Sequence, residues 1–245
     1  MRGILANLDF ETVSTCNRTC PTCLRNSYKD RDAAQPWFEP NYLPEGVIYQ
    51  AISEMVTLPF FSGVVCLNHY DEPLTDERIT SIVRGIKERF ELKSLYFHSN
   101  GDLMTDEIAK ELDGVLDRIV VTLYMDEPVK SRRAEWVRSL FHKTHVDVIT
   151  QSEHIATHYS PKFPIKELIE KHKMHTCFEP NMRVVINHRR QYLLCCDDFV
   201  GHYNLGTFPE KSIAQHWDEK MKIQQDLSEV GGRLKYPYCA TCPRT

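Results

Sequence analysis

The nine cysteines are the side chains with the most chemistry to offer, because a thiolate binds soft metals and iron–sulfur clusters. They are Cys16, Cys20, Cys23, Cys66, Cys177, Cys195, Cys196, Cys239 and Cys242. Three crowd into CNRTCPTC near the start, five follow residue 176, and Cys66 stands alone between. This partition predicts two metal sites joined by a cysteine-poor segment. The first set is spaced C-x3-C-x2-C. Three thiolates on one short loop can hold three irons of a cubane cluster and leave the fourth open to a substrate or cofactor. Structural zinc prefers four ligands, often two C-x2-C pairs, and the triplet has no fourth ligand nearby. The second set is Cys177, then Cys195-Cys196, then Cys239-x2-Cys242, and its spacing would also suit zinc.

The elements that must position these cysteines alternate. ILANLDFETV, directly before the triplet, reads as a strand, and PEGVIYQAISEMV spaces Val47, Ile48, Ala51, Ile52, Met55 and Val56 as one helix face. Then come strand GVVCL, helix DERITSIVRGIKERF, strand KSLYFH, helix TDEIAKELDGVL, strand RIVVTLY, helix KSRRAEWVRSLF and strand HVDVIT. Strands separated by such helices predict βαβ units and a parallel sheet. The connection QSEHIATHYSPKFP has little periodicity, and IKELIEKHK is a helix. RVVIN, HRRQ and YLLCC look like a hairpin, and SIAQHWDEKMKIQQDLSEV is a long helix before YCATC. A domain boundary is expected near residue 160.

Composition narrows the function. The 245 residues are 42% apolar and 26% charged, ordinary values for a folded domain. The formal net charge of -4 gives no electrostatic footprint for nucleic acid or an anionic membrane. No run approaches the roughly 18 apolar residues of a membrane span, and MRGILANLDFETVST lacks the apolar core of a secretory signal, so a cytoplasmic protein is expected. Some residues read as structural. Cys66 is expected as a small core hydrophobe, Trp217 as a core anchor, His172 and His175 as surface side chains, and Arg132-Arg133 and Arg189-Arg190 as solvated faces. Asp9 and Glu11, at alternate positions of strand one, share a face from which they could bind substrate or take its proton.

With the triplet placed after the first strand of a βα chain, the sequence resembles the radical S-adenosylmethionine (SAM) enzymes. HYDEPLT is similar to the family's Gly-Glu-Pro segment, which holds the SAM amino group; Glu72 and Pro73 match, and Asp71 replaces the glycine. SNGDLMT, with Ser99, Asn100 and Gly101, resembles the Thr-Asn-Gly segment near the SAM ribose and carboxylate. VTLY, with Thr122 and Tyr124, lies where the family contacts the nucleoside. Thr22 departs from the aromatic residue that usually packs on adenine. The second set resembles the Twitch domain, a shortened SPASM domain with one auxiliary [4Fe-4S] cluster, because Cys177, Cys195, NLGTF, Trp217 and the Cys239/Cys242 pair follow its order. That resemblance makes Cys195 a ligand and Cys196 its neighbour.

The resemblance implies an α/β fold, a partial (β/α) TIM-like barrel over residues 1–160 with a small C-terminal Twitch domain of hairpin plus helix over 161–245. It implies three cofactors: a [4Fe-4S] cluster on Cys16, Cys20 and Cys23 that binds SAM, SAM itself, and an auxiliary [4Fe-4S] cluster on Cys177, Cys195, Cys239 and Cys242. In the family, SAM is split reductively to a 5′-deoxyadenosyl radical that abstracts hydrogen from substrate. An auxiliary cluster suits acceptance of the electron left behind, so oxidation of a sugar, aminocyclitol or nucleoside alcohol is the expected reaction. Glu11, Tyr70 and Tyr124 are the candidate catalytic side chains, since barrel sites lie at the strands' carboxyl ends. The expected partners are a small-molecule substrate and a reductant such as flavodoxin or ferredoxin. Peptide modification and redox-neutral epimerisation are alternatives within the family, although 245 residues leave no room for a leader-binding domain. A zinc-stapled binding module is the non-enzymatic alternative.

Overall fold

A computed structural model describes residues 5–20, 23, 40–149, 165–199 and 201–242. Among the described residues, seven strands form one open sheet: β1 (Ala6–Phe10), β2 (Phe61–Cys66), β3 (Ser94–Ser99), β4 (Arg118–Thr122), β5 (His145–Ile149), β6 (Arg183–Ile186) and β7 (Tyr192–Leu193). Their order is β5-β4-β3-β2-β1-β6-β7. All pairings are parallel except β6 with β7. The crossover helices are α1 (Glu45–Met55), α2 (Ile79–Arg89), α3 (Asp106–Leu112) and α4 (Val129–Leu140). After β5 come α5 (Ile165–His172), α6 (Ile213–Leu227) and the short α7 (Pro237–Ala240).

The alternation read in the sequence sorts the strand residues between two layers. Leu8 and Phe10 of β1, Leu95 and Phe97 of β3 and Ile119 of β4 join Ile48, Ile52, Ile82 and Ile86 of the helices in one buried core. The opposite face is polar and carries Asp9, Cys66, Tyr96 and Arg183. Cys66 is buried as expected, yet it lies on this polar face, with its Sγ 3.3 Å from Asn68 Oδ1. Trp217 packs into the core and stacks on Phe60 at 4.3 Å.

Most elements end within a few residues of their sequence prediction. The helix expected over 105–116 stops at Leu112, because Asp113 turns extended and its carboxylate takes the N–H groups of His142, Lys143 and Thr144. Its start follows the local signal, with Thr105 Oγ1 accepting from Ile108 N. The hairpin forms, but β6 also runs parallel to β1 and continues the main sheet. Its second strand ends at Leu193, where the Asp198 carboxylate takes the N–H of Leu194. Long α6 opens with a capping box between Ser212 and Gln215.

His172 corrects an expectation. It is fully buried, and its Nδ1 lies 2.8 Å from the Ala240 carbonyl, tying α5 to the chain beside Cys239 and Cys242. Helical periodicity could not show this, because the partner is 68 residues away. Arg133 is likewise half-buried, donating to the Gly101 carbonyl at 2.6 Å and lying over Trp136. Among the described residues, no helix is long and apolar enough to cross a membrane.

Candidate active site at the carboxyl end of the sheet

Loops from the carboxyl ends of β1, β2 and β3 interlock. The cysteine loop follows β1, and within it Cys23 N donates to the Cys20 carbonyl at 3.0 Å. After β2 the chain runs through His69 to Glu72 into a 3-10 turn, Pro73–Thr75. Glu72 N donates to the Thr15 carbonyl at 2.9 Å, and Thr75 and Thr15 hydroxyls meet at 2.8 Å. The DEP segment thus holds the chain just before Cys16.

Glu72 is nearly fully buried and accepts three hydrogen bonds: Leu74 N at 3.2 Å, Ser99 Oγ at 2.7 Å and Asn100 N at 2.7 Å. Burial raises its pKa, while the Asn100 and Ser99 donors work against that shift. Asp71 accepts from His69 N at 2.7 Å and Thr12 N at 3.3 Å. Burial pushes its pKa well up, and the Glu11 charge adds to the effect. Asp71 therefore takes a structural place that glycine could not.

The third loop reaches the cysteines. Asn100 Nδ2 donates to Asn17 Oδ1 at 2.8 Å and lies 3.9 Å from Cys16 Sγ. Gly101 adopts φ +72°, and a Cβ there would stand 2.7 Å from Val121 Cγ1. A side chain would be both strained and crowded. Arg18, inside the cysteine loop, pairs with Asp102 and lies 5.0 Å from the Tyr124 ring centre. Partial burial opposes its charge, but Asp102 and the Cys20 sulfur raise its pKa. Burial and then Cys20 push the Tyr124 phenol up to about 12, with Thr122 opposing. Tyr124 and Thr122 therefore share the surroundings of the triplet.

Tyr70 stands between the two cysteine sets. Burial raises its phenol pKa far above 10, followed by the charges of Asp197, Tyr238, Cys196 and Cys23. Glu11 is buried against His188, whose Nδ1 is hydrogen-bonded to Glu11 Oε2. Burial alone would raise the Glu11 pKa; His188 outweighs it and holds the carboxyl below its usual range.

In the second set, Cys177 N donates to the Leu227 carbonyl at 2.8 Å, and its own carbonyl accepts from Gln224 Nε2 at 2.7 Å. Burial raises the Cys239 thiol to about 12; Tyr203 counters this, while Cys242 and Cys177 add to it. Those three cysteines thus share one electrostatic neighbourhood, which also holds buried Arg233 beside the Cys239 and Cys242 carbonyls. Cys195 lies next to Cys196, and burial raises its thiol well above 9. Cys196 Sγ lies 3.5 Å from Glu179 Oε2, and its carbonyl is 2.8 Å from His69 Nε2.

Among the described residues no three Cys, His, Asp or Glu side chains stand closely enough to hold a metal ion. Thr22 and the connection 151–164 lie outside the described residues. The donor sets nonetheless fit thiolate-bound clusters. The Asn100 amide at Cys16, and the Tyr203 hydroxyl 3.8 Å from Cys239, are N–H and O–H donors of the kind that tune cluster sulfurs. Sequence reasoning missed Arg18, Asp102, His69, Arg183 and His188. Arg18 and Asp102 sit inside or beside recognised segments, a usable signal; His188 and Arg183 carried none.

No protein-family model matches this sequence, and no curated protein matches it. Solved structures do. BtrN, a radical SAM 2-deoxy-scyllo-inosamine dehydrogenase solved in complex with AdoMet and 2-DOIA, superposes with a TM-score of 0.75 at 18% identity, covering 99% of this chain and 94% of BtrN. BtrN in an open conformation gives 0.69 at 20% identity. The enzyme anSMEcpe with bound AdoMet gives 0.60 at 12% identity, covering 98% of this chain and 85% of that one. This chain, with its mostly parallel, unclosed sheet, has the partial TIM-barrel fold of these radical SAM enzymes.

Proposed function

We propose that the protein is a radical SAM oxidoreductase that dehydrogenates a small-molecule alcohol. The observation that carries this reading is the interlock of Glu72 with Ser99, Asn100 and Thr15 around the cysteine triplet. Likeness to BtrN, solved with AdoMet and 2-DOIA, supports the substrate class.

In this reading Cys16, Cys20 and Cys23 would hold a [4Fe-4S] cluster and, with it, SAM. Bound there, cluster and SAM would supply radical chemistry able to remove hydrogen from an unactivated carbon. Asp71, Glu72 and Pro73 form the wall at the SAM amino group. Ser99, Asn100 and Gly101 lie at its carboxylate and ribose, and Thr122 and Tyr124 at the nucleoside. Arg18, anchored by Asp102, sets a positive charge beside the cysteine loop. Cys177, Cys195, Cys239 and Cys242, within residues 161–245, hold an auxiliary [4Fe-4S] cluster in a Twitch arrangement. A cluster held there would supply an acceptor for the electron released on oxidation. Glu11, Tyr70 and Tyr124 line the reacting region, and Tyr70, between the cysteine sets, screens it from water. A flavodoxin or ferredoxin supplies the initiating electron.

Anaerobic reconstitution tests the reading: about eight irons per chain are expected, and about half that after Cys16, Cys20 and Cys23 are changed to Ala. With dithionite and SAM, mass spectrometry should detect 5′-deoxyadenosine. A preparation that binds zinc, takes up no iron and leaves SAM intact would establish the binding-module alternative. The peptide-modifying reading draws on anSMEcpe, solved with AdoMet and a peptide; oxidation of a peptide but no small alcohol would favour it.

A further inference from the structure

The polar face of the sheet carries a buried ion pair with two unused hydrogen-bonding positions. Asp9, 2% exposed, accepts from Arg183 Nη1 at 2.8 Å through Oδ2. Its other oxygen, Oδ1, is buried without a partner, and so is Arg183 Nε. Buried polar atoms are almost always paired, because each unpaired one carries its full desolvation cost. Here a spare acceptor and a spare donor belong to one bonded pair.

The strand register shows what stands beside them. Asp9 is directly opposite Cys66, and Cys66 opposite Tyr96, so carboxylate, thiol and phenol form one row across β1, β2 and β3. Burial raises both the Cys66 and Tyr96 pKa values, which keeps these neighbours uncharged at neutral pH. The Asp9 and Arg183 charges oppose one another. Buried Lys220 also acts on Asp9, and burial lowers its pKa to about 7, so the row and this neighbour together carry little net charge.

We propose that Asp9 and Arg183 form a substrate subsite that binds a hydroxyl of an unphosphorylated polyol ring. A hydroxyl completes both partners: its O–H donates to Asp9 Oδ1, and its oxygen accepts from the Arg183 Nε–H. Ionised phosphate only accepts and an ammonium only donates, so neither satisfies the pair alone, and either adds an uncompensated charge. This inference deepens the dehydrogenase reading and rests on it for the identity of the bound molecule as substrate.

Equilibrium binding to the full chain needs neither SAM nor reductant. The probes are scyllo-inositol, myo-inositol, glucose and adenosine, with inositol 1-phosphate for comparison, scored by saturation-transfer NMR and calorimetry. At least one unphosphorylated probe should bind more tightly than inositol 1-phosphate. Its Kd should rise about tenfold or more in the Asp9→Asn/Arg183→Gln double variant, the size expected for loss of one or two hydrogen bonds. The double variant removes both charges of the pair together, while buried Lys220 keeps its bond to the backbone carbonyl of residue 183; circular dichroism checks the fold. No binding of any unphosphorylated probe, preference for the phosphate, or wild-type affinity in the folded double variant each overturns the subsite. SAM cleavage by the wild-type protein reports separately. Absence of 5′-deoxyadenosine refutes the dehydrogenase reading, whereas its formation without polyol binding refutes the subsite alone.

Discussion

The backbone N–H of Asn100 donates to Glu72 Oε2 at 2.7 Å, joining the loops after β2 and β3 into one piece. Each loop also grips the cysteine segment, Glu72 through Thr15 and Asn100 through Asn17. The carboxylate is thus a structural acceptor before any ligand is considered. On the proposed reading, a cofactor amine would meet a group already fixed in place, so little conformational entropy would remain to be lost on binding.

Glu72→Gln should therefore destabilise the fold as well as weaken SAM binding. One carboxylate oxygen becomes an NH2 group, which cannot accept from both Ser99 and Asn100. Loss of a buried acceptor costs about 1–3 kcal/mol. Denaturant titration checks the stability and calorimetry the SAM affinity; an unchanged unfolding midpoint would show that the interlock carries no strength.

Gly101→Ala is expected to disturb the same corner by another route. The residue holds a left-handed backbone conformation, and the added methyl meets Val121 Cγ1 at 2.7 Å. Strain of this kind costs about 1–3 kcal/mol. The Asn100 amide would shift with it, so SAM affinity should fall together with the melting temperature.

Acid sensitivity should report on His216. The ring is fully buried and lies flat on Tyr192 at 4.0 Å. Burial, then Lys220 and Lys211, lower its pKa from 6.5 to about 2. Below pH 6.5 the unfolded chain binds a proton that the folded one refuses. Its contribution to stability is therefore complete above pH 6.5 and is lost as pH falls toward 2, at up to about 1.4 kcal/mol per pH unit. His216→Phe keeps the stack and removes the proton. Denaturation curves from pH 4 to 8 should show a shallower acid slope in the variant, and parallel curves would contradict the shift. Glu11, held down by His188, adds acid sensitivity of the same sign in both proteins and cancels in the comparison.

Cys195 and Cys196 should differ on substitution. Both residues follow the end of β7 at Leu193, and Cys196 Sγ is already directed at Glu179, whereas the Cys195 thiol is deeply buried. Cys195→Ala should remove about half of the reconstituted iron, whereas Cys196→Ala should leave it nearly intact. The reverse outcome would assign the ligand to Cys196.

Much of the fold follows from local pattern. Leu8 and Phe10 alternate with Asn7, Asp9 and Glu11, and that period of two already predicts a two-faced strand. The segments around Cys16, Glu72 and Asn100 were legible because each is short and its spacing is fixed by the chain. Tertiary structure decided which distant segments meet. It joined β6 to β1, made His172 a buried clamp on Ala240, and set Arg183 against Asp9 and His188 against Glu11, across 174 and 177 residues. Local periodicity states only which face a side chain occupies. The order of strands is settled by global packing, and that order chooses the partner of each buried charge.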